Sequence, residues 1–241
     1  GPLLATALHT SGLELHNWTR RQVTYRPGRE STVTYRAQVR SPNGDMSEET
    51  LVAASGRIPD GALILDDGTC RVGVWRFPHD PGLPGLASAC DREAVAELLG
   101  SLGAGGGPVQ LRTLAYRPRR RAVVEATSPR GRLFLKVVRP DRSEALHDRH
   151  RHLAAHGLPV PQSYGWSRNG IVVLQALGGQ PLRQLLNQRR APLPDAASLT
   201  ALLDRRPGEL RPAIGQRIPS GSVALARSVE LRPAPTRCSR V

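Results

Sequence analysis

The chain has almost no lysine: of its 34 basic residues in 241, only Lys136 is a lysine and the rest are arginine. Aromatic residues make up 4% and methionine occurs once, at Met46, so any core must be built mainly from Leu, Val and Ala. The three cysteines, Cys70, Cys90 and Cys238, lie far apart without C-x-x-C spacing. That pattern offers neither a zinc site nor a disulfide framework, and a reducing cytoplasm is the default compartment. No window reaches the ~18 apolar residues of a membrane span, which argues against a membrane partner. Gly1-Pro2-Leu3-Leu4 lacks the charged start and apolar run of a secretory signal.

What is present in quantity is positive charge, +14 formally, with 24 glycines and 21 prolines that imply much loop. A field of that sign attracts polyanions, whether nucleotide phosphates, nucleic acid or acidic lipid. Arginine in place of lysine, with abundant alanine, is also what a GC-rich coding sequence produces. The charge therefore names no partner by itself. Few aromatics for base stacking and no recognised motif argue against nucleic acid.

Along the first hundred residues the pattern is that of β-hairpins. Arg21–Tyr25 and Ser31–Val39 alternate like paired strands around Pro27-Gly28, and Ser41-Pro42-Asn43-Gly44 is a second turn. Another strand starts in Glu49–Ala54, and Ala62–Leu65 and Cys70–Trp75 flank an Asp67-Gly68 turn. A proline-rich loop, Phe77–Leu86, precedes a helix predicted over Arg92–Leu99 with Asp91 as its cap. The glycine run Gly103–Gly107 lacks the Lys-Ser/Thr of a phosphate-binding P-loop and reads as a flexible linker.

Tyr116-Arg117-Pro118 then repeats Tyr25-Arg26-Pro27, 91 residues later, before a second strand-turn-strand pattern. Strands are predicted at Leu111–Tyr116, Ala122–Ala126 and Arg132–Val138. They are followed by a helix over Arg142–Ala155, capped by Asp141 or Ser143 and stopped by Gly157. Short strands around Gln162–Trp166 and Ile171–Leu174 and a helix over Leu182–Gln188 complete the pattern. The division is residues 1–102 as a β-rich extension, 103–110 as linker, 111–190 as an α+β unit, and 191–241 as irregular chain.

Lys136 stands in Leu133-Phe134-Leu135-Lys136-Val137-Val138, apolar on both sides as a central strand would be. An ammonium there needs a partner. A compact charge on a flexible stem suits phosphate oxygens better than a planar guanidinium does. His147, His150, His152 and His156 have no H-E-x-x-H pattern and read as a solvated helix face.

The turn, the Leu-Lys-Val strand, the helix, Leu158-Pro159-Val160-Pro161 and Val172-Val173-Leu174-Gln175-Ala176-Leu177-Gly178-Gly179-Gln180-Pro181-Leu182 together resemble the N-lobe and hinge of the aminoglycoside phosphotransferase family. The likeness covers about residues 111–190. Tyr25-Arg26-Pro27-Gly28 and Phe77–Leu86 also resemble the amino-terminal extension of its actinobacterial members. The resemblance implies a protein-kinase-like N-lobe, an antiparallel sheet plus a helix, with a β-rich N-terminal extension. It also implies a phosphotransferase (kinase) that uses ATP and Mg²⁺ to modify a small-molecule hydroxyl or amine acceptor. Lys136 matches the lysine that holds the α- and β-phosphates. Glu144, or Asp148 one turn on, is the candidate for its helix carboxylate. Gln175, Ala176 and Leu177 match the hinge that meets adenine. Arg120, between Arg119 and Arg121, falls in the phosphate-covering turn.

That family also carries an H-G-D-x-x-x-x-N loop and a following metal-binding aspartate. Here histidine stops at His156, asparagine at Asn187 and aspartate at Asp204. From Arg205 the composition turns to Arg, Pro, Ser, Gly and Ala. This is the expectation for a C-lobe truncated by a frameshift, the rival being a disordered basic tail. The sequence thus predicts a family member without its catalytic loop or its Mg²⁺ ligands, and at most residual nucleotide binding. The alternative is a non-catalytic basic protein that binds nucleic acid or acts as a scaffold.

Overall fold

The computed structural model describes residues 2–179, 182–187 and 195–204. Of the predicted C-lobe remnant and tail only residues 195–204 are described, with the short helix α6 (Ala196–Asp204), so the composition shift from Arg205 lies outside the described residues; the unit before it ends in another short helix, α5 (Leu182–Leu186).

The chain is α+β, with two antiparallel five-stranded sheets. The first holds β1 (Glu14–Arg26), β2 (Glu30–Arg40), β3 (Met46–Gly56), β4 (Leu63–Asp66) and β5 (Arg71–Arg76), in the order β1-β2-β3-β5-β4. Threonine, valine and tyrosine alternation drives β1 and β2 to pair from Glu14↔Arg40 to Arg26↔Glu30, and both strands run longer than the alternation predicts. The Asp67 turn closes β4 on β5, its carboxylate accepting from the Thr69 and Cys70 N–H groups at 2.9 and 2.7 Å. A helix, α1 (Pro2–His9), lays Leu4 and Leu8 against Ala37, Val39 and Leu51 on this sheet.

The second sheet holds β6 (Gln110–Arg117), β7 (Arg121–Ser128), β8 (Gly131–Val138), β9 (Ser163–Trp166) and β10 (Ile171–Gln175), in the order β6-β7-β8-β10-β9. Its central strand is β8, as the unbroken apolar run predicts. One face of it, Leu133, Leu135 and Val137, packs with Ala122, Val124, Ala126, Ile171 and Val173. Covering that face are α2 (Gly85–Ala89) and α3 (Arg92–Ser101), through Leu86, Ala89, Val95 and Leu99. Each of these leucines and Val95 contributes about 1.5–3 kcal/mol of apolar burial, and Ala89 less.

Asp91 caps α3, accepting from the Ala94 N–H at 2.8 Å. The sequence reading missed α2 because three prolines mask its start within Phe77–Leu86. By packing, residues 83–99 belong with the second sheet although they precede the glycine run. That run is held in place, the Ala104 and Gly105 N–H groups donating to the Leu99 carbonyl.

The opposite face of β8 meets α4 (Pro140–Ala155). This helix begins with Pro140 at its first position and Arg139 as the preceding residue. The predicted cap at Asp141 or Ser143 is therefore inside the helix, because proline at the first helical position fixes the start by itself. Gly157 ends α4 at φ 69° as predicted.

The proline-rich loop is the junction between the sheets. Asp80, 2% exposed, accepts from the Gly82 N–H at 2.8 Å, the Tyr116 hydroxyl at 2.7 Å and the Arg119 N–H at 2.7 Å. Tyr116 Oη in turn accepts from Trp75 Nε1 at 3.1 Å. A β-carbon on Gly82 would lie 2.9 Å from Arg119 Cα, so only glycine permits this approach. The motif singled out in the sequence is thus a clasp, holding a buried carboxylate among three donors.

Candidate functional site

Lys136 lies half-buried on the β8 face opposite the core. Alternation along β8 puts it there with Phe134 while Leu133, Leu135 and Val137 point the other way. It stands opposite Val123 of β7 and Val172 of β10. Arg121 is two positions from Val123 on the same face, and it pairs with Val138.

The helix above supplies no carboxylate partner. On α4 the side turned to the sheet is Ser143, His147 and His150, one helical stripe of residues three and four apart. Ser143 Oγ donates to the Pro140 carbonyl, His147 Nδ1 meets Ser163 Oγ at 2.8 Å, and His150 Nδ1 meets the Pro161 carbonyl at 3.0 Å. The helix docks through polar contacts, where an apolar stripe is the usual means. His147 and His150 are therefore not on a solvated face, a correction to the sequence reading. Its physical cause is that the sheet edge offers oxygen acceptors at Ser163 and Pro161.

Glu144 and Asp148 fall on the exposed side. Among the described residues no ion pair joins Lys136 to either of them. Burial lowers the Lys136 pKa from its ordinary value, and the nearby Arg121 and Arg149 charges lower it further. His150 is also lowered, first by burial, with Lys136, Arg149 and His147 acting in the same direction and the Pro161 contact opposing. The surroundings of Lys136 are thus cationic.

The remaining candidates fall as follows. Arg120 is exposed, its N–H closing the turn on the Arg117 carbonyl. Arg119 is structural: at φ 61° it donates from Nη1 to Glu30 at 3.0 Å and to the Arg57 carbonyl at 2.9 Å. Gln175 ends β10, its N–H donating to the Gln162 carbonyl at 2.8 Å. Ala176 and Leu177 follow in open chain, and among the described residues their N–H groups have no backbone partner. Val172 is opposite Lys136 and Gln175 opposite Leu133, so three residues, or about 10 Å of strand, separate lysine from hinge.

Arg149 and His150 are the members of this cluster whose roles the sequence reading did not assign, whereas Arg121 was read as part of the phosphate-covering turn and lies at the start of β7, opposite Val138. The alternation of Arg121, Val123 and Glu125 with buried Ala122, Val124 and Ala126 was the available signal for Arg121. The three-residue spacing of His147 and His150 was the signal for the helix. Glu125, 7% exposed, shares the Lys136 face but is already engaged, by Arg112 at 2.7 Å and Arg132 at 3.4 Å.

Two cavities, of 220 and 600 Å³, lie on the first sheet, the larger lined by Thr10, Ser11, Glu49, Arg76 and His79 among others. Lys136 lines neither of them. The case for a site at Lys136 rests on charge, not on an empty volume.

The cluster fits an anion: Lys136 feels the charges of Arg121 and Arg149, His150 those of Lys136 and Arg149, and the carboxylate on the same sheet face, Glu125, is taken by Arg112 and Arg132. It does not fit Mg²⁺, which needs oxygen ligands. Among the described residues no three His, Cys, Asp or Glu side chains come together as a metal site. No helix among them is long and apolar enough to cross a membrane. Comparison with family models, with curated proteins and with solved structures finds no match to this chain.

Proposed function

We propose that this chain is the nucleotide-binding portion of a small-molecule phosphotransferase of the aminoglycoside phosphotransferase type, binding ATP without transferring its phosphoryl group. The observation that carries the reading is the position of Lys136. It is the one lysine of the chain, on the third strand of a five-stranded antiparallel sheet, beneath the helix that follows that strand. In protein kinases the phosphate-binding lysine occupies the third strand and answers to the helix after it.

On this reading Lys136 and Arg121 hold phosphate oxygens, and the backbone of Ala176 and Leu177 at the end of β10 meets the base. ATP would supply the transferable phosphoryl group. These residues would orient it and neutralise its charge. The acceptor would be a hydroxyl or amine of a small molecule, and its pocket is not among the described residues. No H-G-D-x-x-x-x-N sequence follows the hinge in the 241 residues, so binding without turnover is the expectation for them.

Titration of a non-hydrolysable ATP analogue into wild type and Lys136→Ala tests this reading. A loss of about tenfold or more is expected for a phosphate contact of that strength. Equal affinity in the two proteins would remove the role given to Lys136.

One observation favours a second reading, a basic nucleic-acid-binding or scaffold surface. The edge strand β1 exposes Arg20, Arg21, Trp18 and Tyr25 together. DNA or RNA affinity that falls steeply with salt and survives Lys136→Ala would select it.

A further inference from the structure

We propose that the basic surface where α4 lies over β8 takes its polyphosphate as the metal-free anion. There His147 and His150 face the sheet while the candidate carboxylates Glu144 and Asp148 do not, and Arg121 and Arg149 supply the neutralisation a divalent cation would otherwise give. The inference rests on the nucleotide reading above and deepens it.

Register and helix phase carry the argument. Val123 opposite Lys136 places Arg121 diagonally beside the ammonium on the same sheet face. The α4 stripe turned to that face ends in His150, with Arg149 adjacent, while Glu144 and Asp148 point to solvent. A lysine flanked by cations is poorly placed without an anion, and an incoming phosphate relieves every one of these repulsions at once. A divalent cation brought in on that phosphate would cancel part of the anion's charge and so part of this relief.

His150 adds a proton to the binding step. The Pro161 carbonyl can only accept, so Nδ1 carries the hydrogen and Nε2 is the acceptor position of the neutral ring. Nε2 can donate to a phosphate oxygen only after protonation. The charged and titratable groups acting on it are Lys136 from β8 and His147 and Arg149 from α4, and Arg121 from β7 acts on Lys136 in turn. Ser163 of β9 is uncharged and engaged with His147. Glu125 is held by Arg112 and Arg132. Phosphate therefore favours the imidazolium, and affinity rises as pH falls through the His150 range.

The test is calorimetric titration of the full chain with ATP, in EDTA and in excess Mg²⁺, repeated with inorganic tripolyphosphate and with AMP. ATP is expected to bind roughly fivefold tighter in EDTA, as the charge balance of the cluster dictates. Tripolyphosphate should keep that preference and AMP should lose it. A tripolyphosphate affinity equal to that of ATP would identify the phosphate chain as the whole ligand, and a weaker one a nucleotide. Either supports the polyanion site.

Arg121→Gln combined with Arg149→Gln, both on exposed side chains, should abolish the EDTA preference. His150→Gln should flatten the extra pH dependence that remains after the ligand's own titration, measured in the same variant, is subtracted. ATP that binds only with Mg²⁺, or better with it, overturns the inference and leaves the nucleotide reading standing. No binding in either condition overturns both.

Discussion

The two sheets share one strand order, and at one turn they can be compared residue by residue. Tyr25-Arg26-Pro27-Gly28-Arg29 and Tyr116-Arg117-Pro118-Arg119-Arg120 both close with the fifth residue's N–H donating to the second residue's carbonyl, at 3.0 Å in each. In both, the fourth residue has positive φ, 67° at Gly28 and 61° at Arg119. Glycine adopts that conformation freely, whereas a residue with a β-carbon loses about 1–2 kcal/mol. The second turn tolerates arginine because Asp80 accepts its N–H and Glu30 and the Arg57 carbonyl hold its guanidinium. The tyrosines diverge the same way: Tyr25 is 69% exposed, while Tyr116 is half-buried, packed against Phe77 and bonded to Asp80.

What differs lies outside the shared order. The second sheet inserts α4 between its third and fourth strands and carries Lys136 beneath it. The first has only the short connection Arg57–Ala62 there, and α1 approaches from the chain's beginning. A common frame thus becomes a candidate site on one side and a buttress on the other, through the helix and one charged residue.

The comparison can be broken most sharply at the cores. Leu135→Ala in the second sheet and Leu51→Ala in the first, both 0% exposed, should each cost about 3 kcal/mol. If the Asp80 clasp makes one folding unit, each variant lowers the midpoint of the same urea transition. Hydrogen exchange should then accelerate in both sheets. A second transition in either variant would separate them.

Asp80→Ala comes next, at about 2–3 kcal/mol, because it strands the Tyr116 hydroxyl and the Arg119 N–H without their acceptor. Its effect should be largest on exchange of the β6–β7 turn. Tyr116→Phe should cost about 1 kcal/mol, and Tyr25→Phe nothing measurable in the same urea experiment. Equal effects would refute the asymmetry between the two turns.

The smallest effect is that of pH. Burial first, and neighbouring cations second, lower the folded His150 pKa. The folded state then binds fewer protons than the unfolded one. The stability His150 contributes is present above its ordinary value near 6.5 and is lost as pH falls through the lower folded value. His150→Gln should flatten that part of the stability–pH curve in the ligand-free protein, and an unchanged curve would show that the ring is not desolvated.

The strands were legible because β-branched alternation and the Pro-Gly, Asn-Gly and Asp-Gly turns act over a few residues. So were the Asp91 cap and the Gly157 stop, each a local exchange between a side chain or glycine and a helix end. The site was legible only as far as Lys136, whose isolation among arginines and apolar neighbours is a property of the sequence. Which groups meet it was not. Glu144 and Asp148 are good candidates by spacing, yet helix phase turns them outward, and the start that sets this phase is Pro140, not a side-chain cap. Asp80 was equally unreadable, since two of its three donors lie 36 and 39 residues away.

The sequence by itself determined the strands, the turns and one ammonium on a central strand, because each depends on neighbours along the chain. Only the tertiary structure decided that the proline-rich loop is a clasp, that α2 and α3 cover the second sheet, and that Lys136 sits among cations. Those outcomes depend on which surfaces meet across long loops, where burial and charge act through space.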